Sequence, residues 1–520
     1  MGIVTGELER GLTRTARRTA KEVILDDGEV PLDDLLSIAL HGGGVRLSSE
    51  PSWREKIEAG RRVLEESLRE EHRVYGVSTG IGHTSSHTVA PEERTDFAAS
   101  IVRQHGCGMG EPLTVEESRA TLFARLVSLT KGYSAVRPRL LEMLAALINR
   151  DIVPVIPRYG SVGASGDLTP LSYVAAVLMG EREARYGGEI MPSSEALDRA
   201  GLKPLRLVPK ESLAIMNGTA VMTALGAITV GRLEHSLSLC ERTSALAAEI
   251  LYGRSAAYHE IVHEIKPHPG QAASAAAIRA ALEGSRMIDE GQSHGRVVQD
   301  PYSLRCAPHV LGAARDAAAW ARTVLHRELN SVNDNPIVDA ERGEIFCAGN
   351  FYGGHVALAM DLLKITAASV ADLCDRQFGL LVDSRFNMGL PETLVTYEGC
   401  GLKALQVTSS ALAALAAQGT ASDTVLSRSS DADNQDKVSM GTNAALHAAE
   451  TVTVLQRVIA TELLALSNAA TSRDERLISP AGSSLLAEVR KISPVLEHDR
   501  RLDGELLALV NHIDGGEGTG

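Results

Sequence analysis

The residues whose order most clearly suggests chemistry lie in the string GSVGASGDLTPLS, from Gly160 to Ser172. If the loop at Ala164-Ser165-Gly166 bends tightly enough, the Gly166 amide nitrogen can attack the Ala164 carbonyl. Glycine permits this because it lacks a Cβ and tolerates strained backbone angles. Loss of two waters, one of them using the Ser165 hydroxyl, leaves a five-membered ring with an exocyclic methylene. Ordinary side chains are nucleophiles, so a chain that needs an electrophile without a bound cofactor must make one. Asp167 followed by Pro170 reads as a helix N-terminus, with the Asp as cap and the Pro inside the first turn. The partial positive charge of such an end favours anions. Read plainly, Ala-Ser-Gly-Asp is a capped turn, and four such common residues meet by chance in about one in a hundred chains of this length. The longer string carries the weight.

Other candidates are scattered along the chain. Tyr75 sits in a glycine-flanked loop, VYGVSTG, of the kind that closes over a substrate; the plain alternative is a tyrosine bonded to its own turn. Arg305, in QDPYSLRC, can grip a carboxylate through two parallel hydrogen bonds, or make a structural ion pair. Tyr302, three residues earlier, shares a helical face with Arg305 if the segment is a first helical turn. Asn217 in MNGT reads equally as a loop or cap residue before a helix starting near Thr219. His259-Glu260-Ile261-Val262-His263 fits the zinc-protease pattern HExxH, whose histidines share one face of a helix. Against a zinc peptidase, the segment from Lys266 to Gly270 contains two prolines that end any helix within a turn, and the longer HxxGxxH form is absent. HGGG at His41 has no GxSxG elbow to accompany it, which argues against an esterase. A non-catalytic scaffold is the third class, and an intact Ala-Ser-Gly with Tyr75 and Arg305 speaks against it.

These residues need elements to hold them. Among 520 residues, 44% are hydrophobic and only 3% aromatic, so the apolar content is mainly Ala, Leu and Val, the composition of closely packed helices. Up to about residue 205, helical stretches (Trp53 to Glu71, Pro112 to Lys131, Arg137 to Asn149) alternate with Gly-rich loops. Beyond it, long helical periodicities run over Ala214 to Leu251, His309 to Val332, His355 to Leu381, Leu402 to Ala421 and Met440 to Ala470. The predicted organisation is mainly α: a mobile tail at 1–24, a mixed N-terminal domain at 25–205 carrying the loop, and a long helical bundle with C-terminal helices at 206–520. The net charge of −14 disfavours nucleic acid and anionic membranes. No apolar run reaches 18 residues and the N-terminus lacks an apolar signal core. Six cysteines without a CxxC pair fit a reducing, cytoplasmic compartment.

The extended string resembles the signature of the histidine/phenylalanine/tyrosine ammonia-lyase and aminomutase family. YGVSTGIG, MNGT, QDPYSLRC, NSVNDNP at Asn330, GNF at Gly349 and NQDKVSMG at Asn434 follow in that family's order, so the resemblance covers roughly residues 25–510. It implies a fumarase/aspartase-like helical architecture and a homotetramer whose active sites draw on three chains. The implied cofactor is 4-methylidene-imidazol-5-one (MIO), formed from Ala164-Ser165-Gly166, with no metal. It implies a carbon–nitrogen lyase acting on an aromatic L-amino acid, giving an arylacrylate and ammonia, or an aminomutase giving a β-amino acid. Tyr75 becomes the base for the β-proton, so a neighbour must lower its pKa from about 10. Arg305 becomes the carboxylate anchor, with Tyr302 beside the prosthetic group and Gln299 in the same cluster. Asn217 holds the ring and the substrate's polar end, and Phe351 walls the pocket. Gln104 and His105 face the distal end of the substrate. Histidine-type lyases carry a Glu at the position of Gln435; a Gln supplies no charge, which favours tyrosine, with phenylalanine and then histidine as alternatives. Two positions depart from the family pattern: Ser78 replaces the usual Asn and Tyr352 the usual His.

Overall fold

The computed structural model describes residues 22–289 and 298–515. The chain is mainly α-helical and forms two compact units that interleave along the sequence. The first holds Met1–Ala227, Leu325–Gly354 and Ser427–Thr442; the second holds Ile228–Val324, His355–Leu426 and Asn443–Gly520. The expected division at residue 205 is contiguous, whereas the helices Ala220–Ile250, Ala307–Leu329 and Gly441–Ala469 each contribute residues to both units. The expected tail lies outside the described residues as far as residue 21, and Val23 and Ile24 already belong to a strand, Val23–Leu25, paired in parallel with Val45–Leu47.

The first unit combines helices with small sheets. Met109–Pro112 pairs antiparallel with Pro157–Tyr159, and Ile337–Asp339 with Glu344–Phe346. Its helix Val115–Thr130 opens on a reciprocal cap. Glu117 N–H donates to Thr114 Oγ1 at 3.2 Å and Thr114 N–H donates to the Glu117 carboxylate at 2.8 Å. From Ala120 to Thr130 every side of this helix is buried, which its apolar and small residues tolerate; Arg125 is the exception.

Arg125 explains where a long helix breaks. The periodicity from Ala214 to Leu251 runs through a break: the chain forms two helices, Glu211–Met216 and Ala220–Ile250, separated by Asn217-Gly218-Thr219, which agrees with the reading of Asn217 as a loop or cap residue before a helix near Thr219. The last carbonyls of a helix lack internal partners. The fully buried Arg125 supplies them: Nε donates to Ala214 O at 2.8 Å, Nη2 to the same oxygen, and Nη1 to Asn333 O at 2.8 Å. Burial brings its pKa down to about 10, and the Asp334 and Asp167 carboxylates oppose that fall, so the guanidinium stays charged. Asp334 in turn accepts from Lys210 Nζ at 2.6 Å, with both side chains fully buried. The break therefore rests on a buried cation that turns the chain at Asn217.

In the second unit the long helices dominate. Gly354–Val382 and Gly441–Ala469 have 29 residues each, roughly 44 Å of helix. A buried Lys364 ties Asp361 at 2.8 Å to Asp423 at 2.6 Å within it. Among the described residues no helix is long and apolar enough to cross a membrane. Arg125→Met should lower stability by about 3–5 kcal/mol, because it strips two buried carbonyls of their donors and removes one of the two buried cations near Asp334. Chemical denaturation measures this, and a loss under about 1 kcal/mol contradicts the role assigned to Arg125.

Candidate active site

All of the loop site lies in the first unit. Gly163, Ser165 and Gly166 have φ of +74°, +54° and +73°, so the backbone doubles back within four residues. A left-handed conformation costs a non-glycine residue such as Ser165 roughly 1–2 kcal/mol, strain that the surroundings must hold. They do so through backbone contacts. Gly166 bridges Gly218 in parallel, and Asp167 N–H donates to Gly218 O at 2.8 Å. A Cβ at Gly166 would lie 2.3 Å from that same oxygen, so only glycine fits. Met440 N–H donates to Val162 O at 2.9 Å, and Gly163 N–H donates to Ser161 Oγ at 3.0 Å.

Asp167 occupies the N-cap position of the helix Leu168–Leu178, as expected, but its side chain does not cap that helix. It accepts instead from Val221 N–H and Met222 N–H, both at 3.0 Å, in the first turn of Ala220–Ile250. Thr442 Oγ1 and Ser161 Oγ, the latter at 3.2 Å, complete its partners. Burial raises its pKa to about 6 and outweighs these donors. The correction has a physical reason: the Asn217 turn brings a second helix start against the loop, and its unpaired N–H groups need an acceptor.

Two cavities, of about 390 and 350 Å³, share Tyr75, Ser165 and Gln435. That size suits a small molecule. Phe351 and Tyr352 line the first; Gln104, His105 and Asn217 line the second. The Asn217 Oδ1 is buried with no hydrogen-bond partner among the described residues. His105 Nδ1 is 2.8 Å from Ile101 O, which can only accept, so Nδ1 is the donor of that hydrogen bond. Gln435 is more occupied than expected: Nε2 donates to Ser165 Oγ at 3.1 Å, while Oε1 accepts from Ser430 Oγ at 2.8 Å.

The Tyr75 hydroxyl accepts from Gly82 N–H at 2.8 Å. The expected lowering of its pKa is not found. Burial raises it, the Gly82 N–H pulls it down, and the Asp431 carboxylate and Cys347 raise it further. Asp431, His83 and Cys347 also line the cavities, and no sequence pattern singles them out; Lys437, within NQDKVSMG, lines the first as well. Of the two departures, Ser78 serves its own turn, accepting from Val74 N–H at 2.8 Å and donating to His72 O at 3.2 Å. Tyr352 Oη lies 3.5 Å from Val438 O.

Gln299, Tyr302 and Arg305 belong to the second unit. Tyr302–Arg305 is a single helical turn, the condition under which the two residues share a face, and the guanidinium lies 4.5 Å from the centre of the Tyr302 ring. Tyr302 is 70% exposed and Gln299 is exposed, while Arg305 Nε is buried with no hydrogen-bond partner among the described residues. The zinc pattern has an ordinary explanation. His259 is an N-cap outside the short helix Glu260–Glu264, and both ring nitrogens of His263 are engaged, by Gln271 at 3.0 Å and Ala257 O at 3.1 Å.

The model for aromatic amino acid lyases matches residues 30–491. The chain belongs to the aromatic amino acid lyase family. A histidine ammonia-lyase from Gloeobacter violaceus is 38% identical over 494 residues, spanning 94% of this chain and 95% of the relative. Among solved structures, the tyrosine aminomutase of Streptomyces globisporus has a TM-score of 0.90 at 33% identity and covers 96% of this chain and 97% of its own. The phenylalanine aminomutase of Pantoea agglomerans has a TM-score of 0.90 at 28% identity, covering 95% and 98%.

The family is MIO-dependent in general, and the residues of this chain fit the ring. The triad is bent and pressed against Gly218, Asn217 offers an unpaired acceptor, and the Gln435 amide, bonded to Ser165 Oγ, would be freed by loss of that hydroxyl. The folded pKa of Asp167 lies above its unfolded value of about 3.8, so its stabilising contribution is complete below about pH 4 and is lost as the pH rises through about 6. Relative to Asp167→Asn, the unfolding midpoint of the parent should therefore fall between about pH 4 and about pH 6 and level off above. A difference that stays flat over that window contradicts the buried carboxyl described above.

Proposed function

We propose that this lyase is an ammonia-lyase for an aromatic L-amino acid, with L-tyrosine the preferred substrate, working as a cytosolic homotetramer whose sites combine residues of three chains. The observation that carries the reading is Ser165, in a strained loop, opening on two cavities that Tyr75 also lines. When formed from Ala164-Ser165-Gly166, the MIO ring supplies an electron-poor alkene to which the substrate amine is drawn.

The side chains then divide the work. Tyr75 takes the β-proton at its Oη, where the Gly82 N–H also stabilises the phenolate. Arg305, supported by Gln299 and with Tyr302 packed on its guanidinium, anchors the carboxylate. That cluster enters through the three-chain assembly the family resemblance implies. The unpaired Asn217 Oδ1 accepts from the ring or the ammonium group. Phe351 packs the aromatic ring, and Gln104 lines the distal cavity with His105. His105 Nε2 accepts from a phenol O–H. Loss of the β-proton and the amine leaves an arylacrylate and ammonia; return of ammonia to the β-carbon gives a β-amino acid.

A second reading, histidine, is favoured by the name of the curated relative. Gln435 weighs against it, since a neutral amide offers an imidazolium no charge. The aminomutase outcome is favoured by the solved neighbours. One assay separates all three: L-Tyr, L-Phe and L-His in parallel, with arylacrylate and β-amino acid both quantified. Tyrosine should give the highest kcat/KM; turnover of L-His alone contradicts the proposal. Tyr75→Phe should retain the near-ultraviolet absorbance of the ring and lose on the order of 10²–10⁴-fold in kcat, and near-parental turnover removes Tyr75 from the base role.

A further inference from the structure

Asp431 lies in the segment Ser427–Thr442, far along the chain from Tyr75 but in the same unit. Its carboxylate meets the short turn Gly82–Thr84 in two places. His83 N–H donates to Oδ2 at 3.1 Å, and His83 Nδ1 hydrogen-bonds Oδ1. Gly82, at φ +53°, is packed so closely beneath the carboxylate that a Cβ there would sit 1.6 Å from Oδ2. The N–H of this same Gly82 holds the Tyr75 hydroxyl at 2.8 Å. One carboxylate thus fixes the turn whose first amide orients the phenol, and stands one residue from it.

We propose that Asp431 is a positioning residue of the reaction: with His83 it forms a clasp that holds the Gly82 amide against Tyr75 and sets the electrostatic environment of the phenol. The proposal rests on the reading of Tyr75 as the base. The clasp acts in two opposed ways. It fixes the donor that stabilises a phenolate, and its negative charge disfavours one. The His83 hydrogen bonds draw on that charge, so the ring moderates the second effect. The carboxylate adds to the burial that already raises the Tyr75 pKa. Other ionisable groups around the phenol are Cys347, which raises it, and His105, Asp436 and Lys437, which line the same two cavities. None of these contacts the Gly82 turn through a hydrogen bond in the way Asp431 does.

Opposite shifts test the clasp. Asp431→Asn keeps an oxygen for the His83 amide but removes the charge, so the limb of the kcat–pH profile belonging to the phenol should move to lower pH. His83→Ala leaves the carboxylate less satisfied, so the limb should move to higher pH, and the double variant should behave as Asp431→Asn. Asp431→Ala, which frees the turn, should lose on the order of 100-fold in kcat with KM little changed. His83 is more than half exposed, so His83→Ala should keep its unfolding midpoint and the ring's absorbance. A merely structural staple would change stability but not move the limb in opposite directions. If Tyr75→Phe is inactive while both charge variants superimpose on the parent profile, the clasp is overturned and the base reading stands. If Tyr75→Phe turns over normally, both are overturned.

Discussion

The site depends on one backbone contact, Gly166 against Gly218. There is no room between them for a Cβ, and Asp167 N–H closes the contact on the Gly218 carbonyl. The arrangement around Ala164-Ser165-Gly166 follows from it. The contact requires the chain to turn at Asn217 rather than continue as helix, and that turn exists because Arg125 takes up the carbonyl of Ala214 and a carbonyl of the Asn333 loop. The same turn starts the helix Ala220–Ile250 beside the loop, and its first amides find their acceptor in Asp167. Two glycines, a buried arginine and a buried aspartate thus hold Ser165 in a conformation it would not adopt alone.

That arrangement explains how a short peptide can be held in a strained, bent form. Strain at a functional loop persists only where the surroundings over-determine it. Here the loop is fixed from both sides, by Gly218 on one and by the Ser439–Gly441 backbone on the other. The proposed base is arranged differently. Tyr75 is tuned by opposing influences, with an amide donor stabilising its ionised form while burial and a nearby carboxylate resist it. Catalytic groups are commonly balanced in this way, because a base too easily ionised is a weak one.

Much of this was legible in the amino-acid sequence because its signals are local. Gly166, Ser165 and Ala164 declare themselves by order, and the long helices by period; Gly354–Val382 and Gly441–Ala469 fall within a residue or so of the expected spans. What escaped depends on contacts distant in sequence. Asp167 reads as the cap of the next helix, since nothing nearby reveals that a helix more than 50 residues later competes for it. Periodicity runs through the break at Asn217, which MNGT marks locally, but the cause of the break does not show in the sequence: it is Arg125, 89 residues before the Ala214 carbonyl that it binds. Asp431 and His83 are 348 residues apart and carry no motif, and the raised pKa of Tyr75 follows from burial, which one sequence does not show.

Intact-mass measurement of the purified chain bears most directly on the central claim, that the loop pinned at Gly218 closes on itself. The parent should weigh two waters less than its encoded sequence, and Ser165→Ala should lack the deficit caused by loss of the hydroxyl. A parent chain at its full encoded weight would contradict the account, however well the cavities suit an aromatic amino acid.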